Sequence, residues 1–276
     1  MKALAEQIAD LDAVEIYGRV VGVRGLMVEV AGPIHAMSVG ARLAIETGVG
    51  PAIPCEVVGF HAGHALAMPF AALDGVRRGC RALVATAAGT IRPSERWLGR
   101  VVNAMGEPID GLGQLPPGPA PYPFRNAPPP AHSRMRVGEP LDLGVRALNT
   151  FLTVCRGQRM GIFSGSGVGK SVLLSMLARN VSADISVIGL VGERGREVQE
   201  FLQDDLGPAG LARSVVVVST SDEPALMRRQ AGRAQIVLQE LLHLAAALAD
   251  QADHRNVGRH VARQHREQHR LADAGS

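Results

Sequence analysis

Residues 161–174 read GIFSGSGVGKSVLL, a glycine-rich turn that ends in Gly-Lys-Ser and runs into an apolar helical pattern. Residues of these types at this spacing bind phosphate. Glycines let the backbone wrap until several N–H groups converge on one point, at the positive end of a helix. Lys170 then reaches the β- and γ-phosphate oxygens as a point charge, and the Ser171 hydroxyl is the ligand for Mg²⁺. The residues assigned to the phosphates are Ser164, Gly165, Ser166, Gly167, Val168, Gly169, Lys170, Ser171 and Val172. Ser164 stands where the strict G-x-x-x-x-G-K-[ST] pattern has glycine.

A second chemical element follows in VIGLVGERGREVQEF, residues 187–201. Glu193 falls where an apolar strand ends, the usual place for reactive groups in an open parallel sheet. A carboxylate there orients and deprotonates the water that attacks a γ-phosphate. The other reading makes Glu193 a strand-end charge paired with Arg194 or Arg196, and the pattern does not choose between them.

These groups need a scaffold. Across 141–230, strands alternate with helices: RMGIFSG, ISVIGLVGE and RSVVVVSTS read as strands, and GKSVLLSMLARN, REVQEFLQDDL and PALMRRQA as helices. Continuous β-branched runs between helices indicate a parallel sheet buried on both faces. Upstream, residues 14–89 carry short β-type runs (GRVVGV, LMVEVAG, IPCEVVGF, HALAMPF) punctuated by Gly and Pro, which predict a small barrel or sandwich. A loop-rich insertion is the alternative. Residues 1–13 have the period of a short amphipathic helix. The stretch 115–132 holds eight of the seventeen prolines and reads as an extended strap. A recognition site for a proline-binding module is its alternative. After Gly232, the run AQIVLQELLHLAAALADQA is helical, with Ile236 and Leu238 placed near one face. The polar end DHRNVGRHVARQHREQHRLADAGS reads as disordered or weakly helical.

Composition narrows the classes. The chain has 276 residues, 46% of them hydrophobic, with a mean hydropathy of +0.10, which is enough for a globular core. A net charge of +3 with 3% aromatics gives no basis for a nucleic-acid partner. Lysine occurs only at Lys2 and Lys170, so one of two lysines sits in the phosphate loop. Cys55, Cys80 and Cys155 lie far apart without C-x-x-C spacing, which argues against zinc or a disulfide framework. The N-terminus lacks the apolar core of a signal peptide, and no long apolar run spans a membrane. Five histidines after Gly232 (His243, His254, His260, His265, His269) match no closed metal site.

Three stretches together resemble the flagellum-specific ATPase of the type III export apparatus, a relative of the rotary ATPase α and β subunits. They are LGRVVNAMGEPIDGLG (98–113), GQRMGIFSGSGVGKSVLL (157–174) and the long run from GLVGERGREVQEF to MRRQA (189–231). The resemblance covers about residues 14–231, and GERGREV favours the export branch over the rotary subunits. It implies an α/β chain with a small N-terminal β-barrel and a P-loop, RecA-like core, with boundaries at 1–13, 14–89, 90–232 and 233–276. It implies ATP and Mg²⁺ at the loop, with Glu193 and Lys170 catalytic. It also implies a homohexamer at the cytoplasmic base of the flagellum that couples ATP hydrolysis to unfolding and export of flagellar proteins. Its partners would be a stator-like regulator, an export gate, chaperones and flagellar substrate proteins. Peripheral membrane contact would come through the N-terminal segment.

The likeness fades at Gly232. The family continues to an apolar strand ending in a Mg²⁺-associated Asp, and later to an arginine that reaches a neighbour's nucleotide. Asp250 and Asp253 follow a helical pattern and do not replace that Asp. A frameshift, an early end or a lineage-specific tail each account for this, and the parallel-sheet core is expected to be incomplete. The rival readings are a nucleotide-binding remnant without turnover, a rotary ATPase subunit and a hexameric RNA translocase.

Overall fold

The computed structural model describes residues 15–85, 89–125, 130–134, 136–165 and 167–239. The expected N-terminal helix, Ser166, the tail histidines, Asp250 and Asp253 lie outside these residues.

Six strands close an antiparallel barrel in the order β1-β2-β5-β4-β3-β6. They are β1 (Tyr17–Arg24), β2 (Met27–Ala31), β3 (Arg42–Glu46), β4 (Ile53–His61), β5 (His64–Pro69) and β6 (Arg81–Ala85). The period-2 pattern does the work. Leu43, Ile45, Cys55, Val57, Ala65 and Ala67 point inward and are buried. Register shifts at Val20/Gly22 and Val57/Gly59 bend β1 and β4 so that the sheet can close. Closure leaves no free strand edge in the barrel.

The strap that follows is extended and cross-tied. Short strands β7 (Thr90–Ile91) and β9 (Tyr122–Pro123) pair antiparallel, and the Trp97 indole donates to the Pro116 carbonyl at 3.3 Å. Between them, and ahead of the proline-rich strap, β8 (Arg100–Asn103) joins the core sheet. Its first residue is locked by Asp110, which accepts from Arg100 Nε at 2.7 Å and Nη2 at 2.8 Å and from the Val101 N–H at 3.0 Å.

The core sheet is parallel, in the order β10-β11-β8, with β10 (Ser186–Val191) and β11 (Ser214–Ser219). The central strand β11 is buried along its whole length, as its SVVVVS sequence requires. Among the described residues, five α-helices accompany the sheet: α1 (Arg146–Phe151), α2 (Lys170–Asn180), α3 (Gly195–Glu200), α4 (Gly207–Ala212) and α5 (residues 225–239). A π-helical turn, Phe201–Leu206, links α3 to α4.

Two expectations about single elements need correction. RMGIFSG (159–165) is not a strand. None of the described strands offers it a ladder, and Phe163 is 96% exposed. Ile236 does not face the core, whereas Ala231, Ala234, Val237 and Leu238 do. Their spacing continues the helical period from Met227, which turns Ile236 outward. Helix α5 also runs unbroken through Gly232.

Candidate functional site

The phosphate loop is shaped by its backbone. Gly167 and Gly169 have φ of +76° and +96°, a left-handed region where a side chain is strained. Gly169 is the N-cap of α2, and its carbonyl accepts the Leu173 N–H at 3.0 Å. The Ser164 hydroxyl donates to the Gly165 carbonyl at 3.2 Å. Open space surrounds the Cα atoms of Gly167 and Gly169. Gly165, Val168, Lys170, Ser171 and Val172 are exposed together with them. The loop is thus a left-handed turn ahead of an 11-residue helix, with its first-turn side chains free to meet a ligand.

The far end of α2 is fixed to the sheet. Arg213, the residue before β11, donates to the carbonyls of Ala183 at 2.6 Å, Arg179 at 3.0 Å and Ala178 at 3.2 Å. A guanidinium suits this place because a helix C-terminus leaves carbonyls unpaired and carries negative partial charge. The loop at the N-terminus of α2 is therefore held through the helix.

Glu193 enters from the C-terminal end of β10. Gly192, with φ of +82°, donates its N–H to the Ser219 carbonyl at 2.7 Å, and the Glu193 carbonyl accepts from the Ser221 N–H at 2.9 Å. The backbone of Glu193 is thus tied to the segment after β11, while its side chain stays half-buried. Among the described residues, no ion pair joins it to Arg194 or Arg196. The Arg194 backbone N–H donates instead to Glu197, at 3.3 Å.

A cavity of about 500 Å³ opens between α2 and β10. Ser171 and Leu174 form one wall, Ile188 and Leu190 the other, and Glu193 and Gln235 also line it. Gln235 reaches from α5 to Gly189, where a Cβ would sit 2.1 Å from its Oε1. The structure therefore brings Ser171 and Glu193 to one cavity. Lys170, one residue before Ser171 at the first position of α2, is exposed and does not line the cavity.

The donor set fits a triphosphate: a left-handed glycine turn, unpaired N–H groups at a helix start, and an exposed lysine. The Ser171 hydroxyl and the Glu193 carboxylate are hard oxygen ligands of the kind Mg²⁺ takes. The strand from upstream of the strap, β8, escaped the sequence reading. Its only signal is the RVV run inside LGRVVNAMGEPIDGLG.

Loop, helix and parallel sheet define a P-loop nucleotide-binding unit with an attached β-barrel. Residues 144–249 match the ATP synthase alpha/beta family, nucleotide-binding domain. That match runs past Gly232, where the resemblance read from the sequence fades. The chain is 54% identical over 242 residues to the flagellum-specific ATP synthase of Caulobacter vibrioides, covering 88% of this chain and 54% of that one. The assembled ATPase EscN of the enteropathogenic E. coli type III secretion system superposes with a TM-score of 0.74 at 34% identity, over 82% of this chain and 53% of EscN. EscN in complex with its central stalk EscO gives 0.73 at 35%, over 82% and 54%. The chain is similar to the flagellum-specific ATP synthases, and it spans about half the length of the curated relatives it matches. Among the described residues, no helix is long and apolar enough to cross a membrane.

Proposed function

We propose that this chain forms the barrel and nucleotide-binding core of a flagellar export ATPase, which couples ATP hydrolysis to unfolding and export of flagellar proteins. The observation that carries the reading is the shared cavity of Ser171 and Glu193 beside a left-handed glycine turn. Residues 164–172 cradle the phosphates, and Lys170 neutralises the β/γ oxygens. Ser171 would hold Mg²⁺, which supplies charge neutralisation on the transferred phosphoryl group. Glu193 takes a proton from the attacking water. The proposed context is a homohexamer with a stalk or stator-like regulator, an export gate, chaperones and substrate proteins, at the cytoplasmic base of the flagellum. EscN, assembled and bound to its stalk, supports the oligomer and the regulator.

A second reading is nucleotide binding without turnover. The edge of β10 along the cavity favours it, because none of the described strands pairs with that edge. One experiment separates the two. A fluorescent ATP analogue is titrated into the protein and into Lys170→Ala, and phosphate release is followed on the same material. Lys170-dependent binding with Lys170-dependent release supports the ATPase. Lys170-dependent binding without release supports the second reading. Binding insensitive to Lys170 overturns both.

A further inference from the structure

The junction between barrel and core carries a charge imbalance that the nucleotide site does not use. Glu56 projects outward from β4, and its side chain is 2% exposed. Four guanidinium groups converge on it. Arg125 Nη2 from the strap donates to Oε1 at 2.5 Å, and Arg229 Nη2 from α5 donates to the same oxygen at 2.9 Å. Arg233 Nη1, one turn further along α5, and Arg42 Nη2, opposite Glu56 on β3, face Oε2 at 3.6 and 3.8 Å. Both are beyond hydrogen-bond distance.

One carboxylate against four arginines leaves a surplus of three positive charges. Among the described residues, none of the four pairs with another carboxylate. Arg42 Nη1 and Arg233 Nη1 are buried without any hydrogen-bond partner. Unpaired buried donors are costly, and those carrying charge are more so. Burial, and then the neighbouring guanidiniums, pull both arginines below their ordinary value against the attraction of Glu56. The cluster opens to solvent through Arg125, Arg229 and Arg233, whose side chains are 41%, 45% and 25% exposed. Gly40 makes room for Arg125, because a Cβ there would lie 2.8 Å from its Nη1.

We propose that this junction is a binding site for a small oxyanion of the phosphate class, separate from the phosphate loop. Arg125, Arg229 and Arg233 form its rim, and Arg42 lies beneath. Guanidinium forks match tetrahedral oxyanions in pairs of parallel hydrogen bonds. The anion supplies acceptors to the unpaired N–H groups and neutralises the surplus. Glu56 holds the guanidiniums in a common orientation between visits. An anion bound here bridges barrel, strap and α5, so occupancy stiffens the junction between barrel and core.

The test is calorimetric titration of inorganic pyrophosphate at constant ionic strength, in the Lys170→Ala background to silence the loop. The expected result is one pyrophosphate per chain, with affinity at least tenfold weaker after Arg233→Gln or Arg229→Gln. Arg125→Gln, on the exposed strap, repeats the test without touching a helix and is expected to weaken binding in the same direction. A parallel titration with ATP identifies the source: tighter binding than pyrophosphate assigns the site to a nucleotide's phosphate tail, and equal or weaker binding to the free oxyanion. Loss of all pyrophosphate binding with Lys170→Ala overturns the proposal. So does binding that all three arginine substitutions leave unchanged.

Discussion

Arg229 on helix α5 donates a hydrogen bond to Glu56 on barrel strand β4 at 2.9 Å, across 173 positions of sequence. This contact and its neighbours from Arg125 and Arg233 link two structures with separate apolar cores. Glu56 is the only carboxylate paired with these arginines among the described residues, so its removal leaves positive charge with no counterweight. Breaking a buried pair from one side costs about 3–5 kcal/mol. Glu56→Gln is therefore expected to lower the urea midpoint well beyond the effect of Arg125→Gln, whose side chain is partly exposed. Equal midpoints for Glu56→Gln and the parent would show that the cluster does not hold the junction.

Much of this architecture is legible in the sequence, for physical reasons. SVVVVS admits only a strand buried on both faces, and the Gly-Lys-Ser turn ahead of an apolar period admits a loop and helix. Strand β8 is not legible, because its partner β11 lies more than a hundred residues away, with Val101 beside Val216. RMGIFSG has the composition of a strand, but strands are made by partners, and none of the described strands pairs with it. Glu56 reads as one more polar residue on a barrel strand. Its role follows from arginines on β3, the strap and α5 that local pattern cannot bring together.

The three cysteines give a probe of the barrel. Burial pushes the Cys55 thiol up to about 12, and Cys80 is also buried, whereas Cys155 is half-buried outside the barrel. Only thiolates react with disulfide reagents at appreciable rates. At pH 8, one equivalent is expected to react in the native protein and three in guanidinium. Rapid reaction of Cys55 in native buffer would mean that the barrel opens under those conditions.

Asp110 links stability to acid. Its hydrogen bonds from Arg100, and from the Val101 and Leu112 N–H groups, hold its carboxyl far below the ordinary carboxylate range. A carboxyl depressed in the folded state stabilises fully above its unfolded value, near 3.9. That contribution is lost as pH falls through the folded value. Acid unfolding between about pH 4 and 2 is thus expected to be shallower in Asp110→Asn than in the parent, with the variant already less stable at neutral pH. Parallel pH–stability curves for the two proteins would remove Asp110 from the acid response.

In the proposed nucleotide site, Lys170 faces the densest negative charge of the triphosphate. Charge-assisted hydrogen bonds of this kind contribute roughly 1.5–3 kcal/mol, so Lys170→Ala is expected to weaken binding of a fluorescent ATP analogue by about tenfold or more. Lys170→Arg should not restore it, because a planar fork does not replace a compact ammonium inside a tight glycine turn. Affinity retained in Lys170→Ala would place the nucleotide elsewhere on the molecule.

Glu193 sits on the same cavity as Ser171 and, among the described residues, has no arginine partner. A strand-end ion-pair residue would contribute to stability and be indifferent to turnover. A base for the attacking water would show the reverse. Glu193→Gln keeps the shape and removes the proton acceptor, so analogue binding should stay within a few-fold of the parent. Lys170-dependent phosphate release should fall on the order of 10²-fold, the scale of a lost general base. Single-turnover release, with thermal unfolding measured on the same samples, distinguishes the roles. Unchanged release with a lowered unfolding temperature would return Glu193 to a structural role and leave the cavity to binding alone.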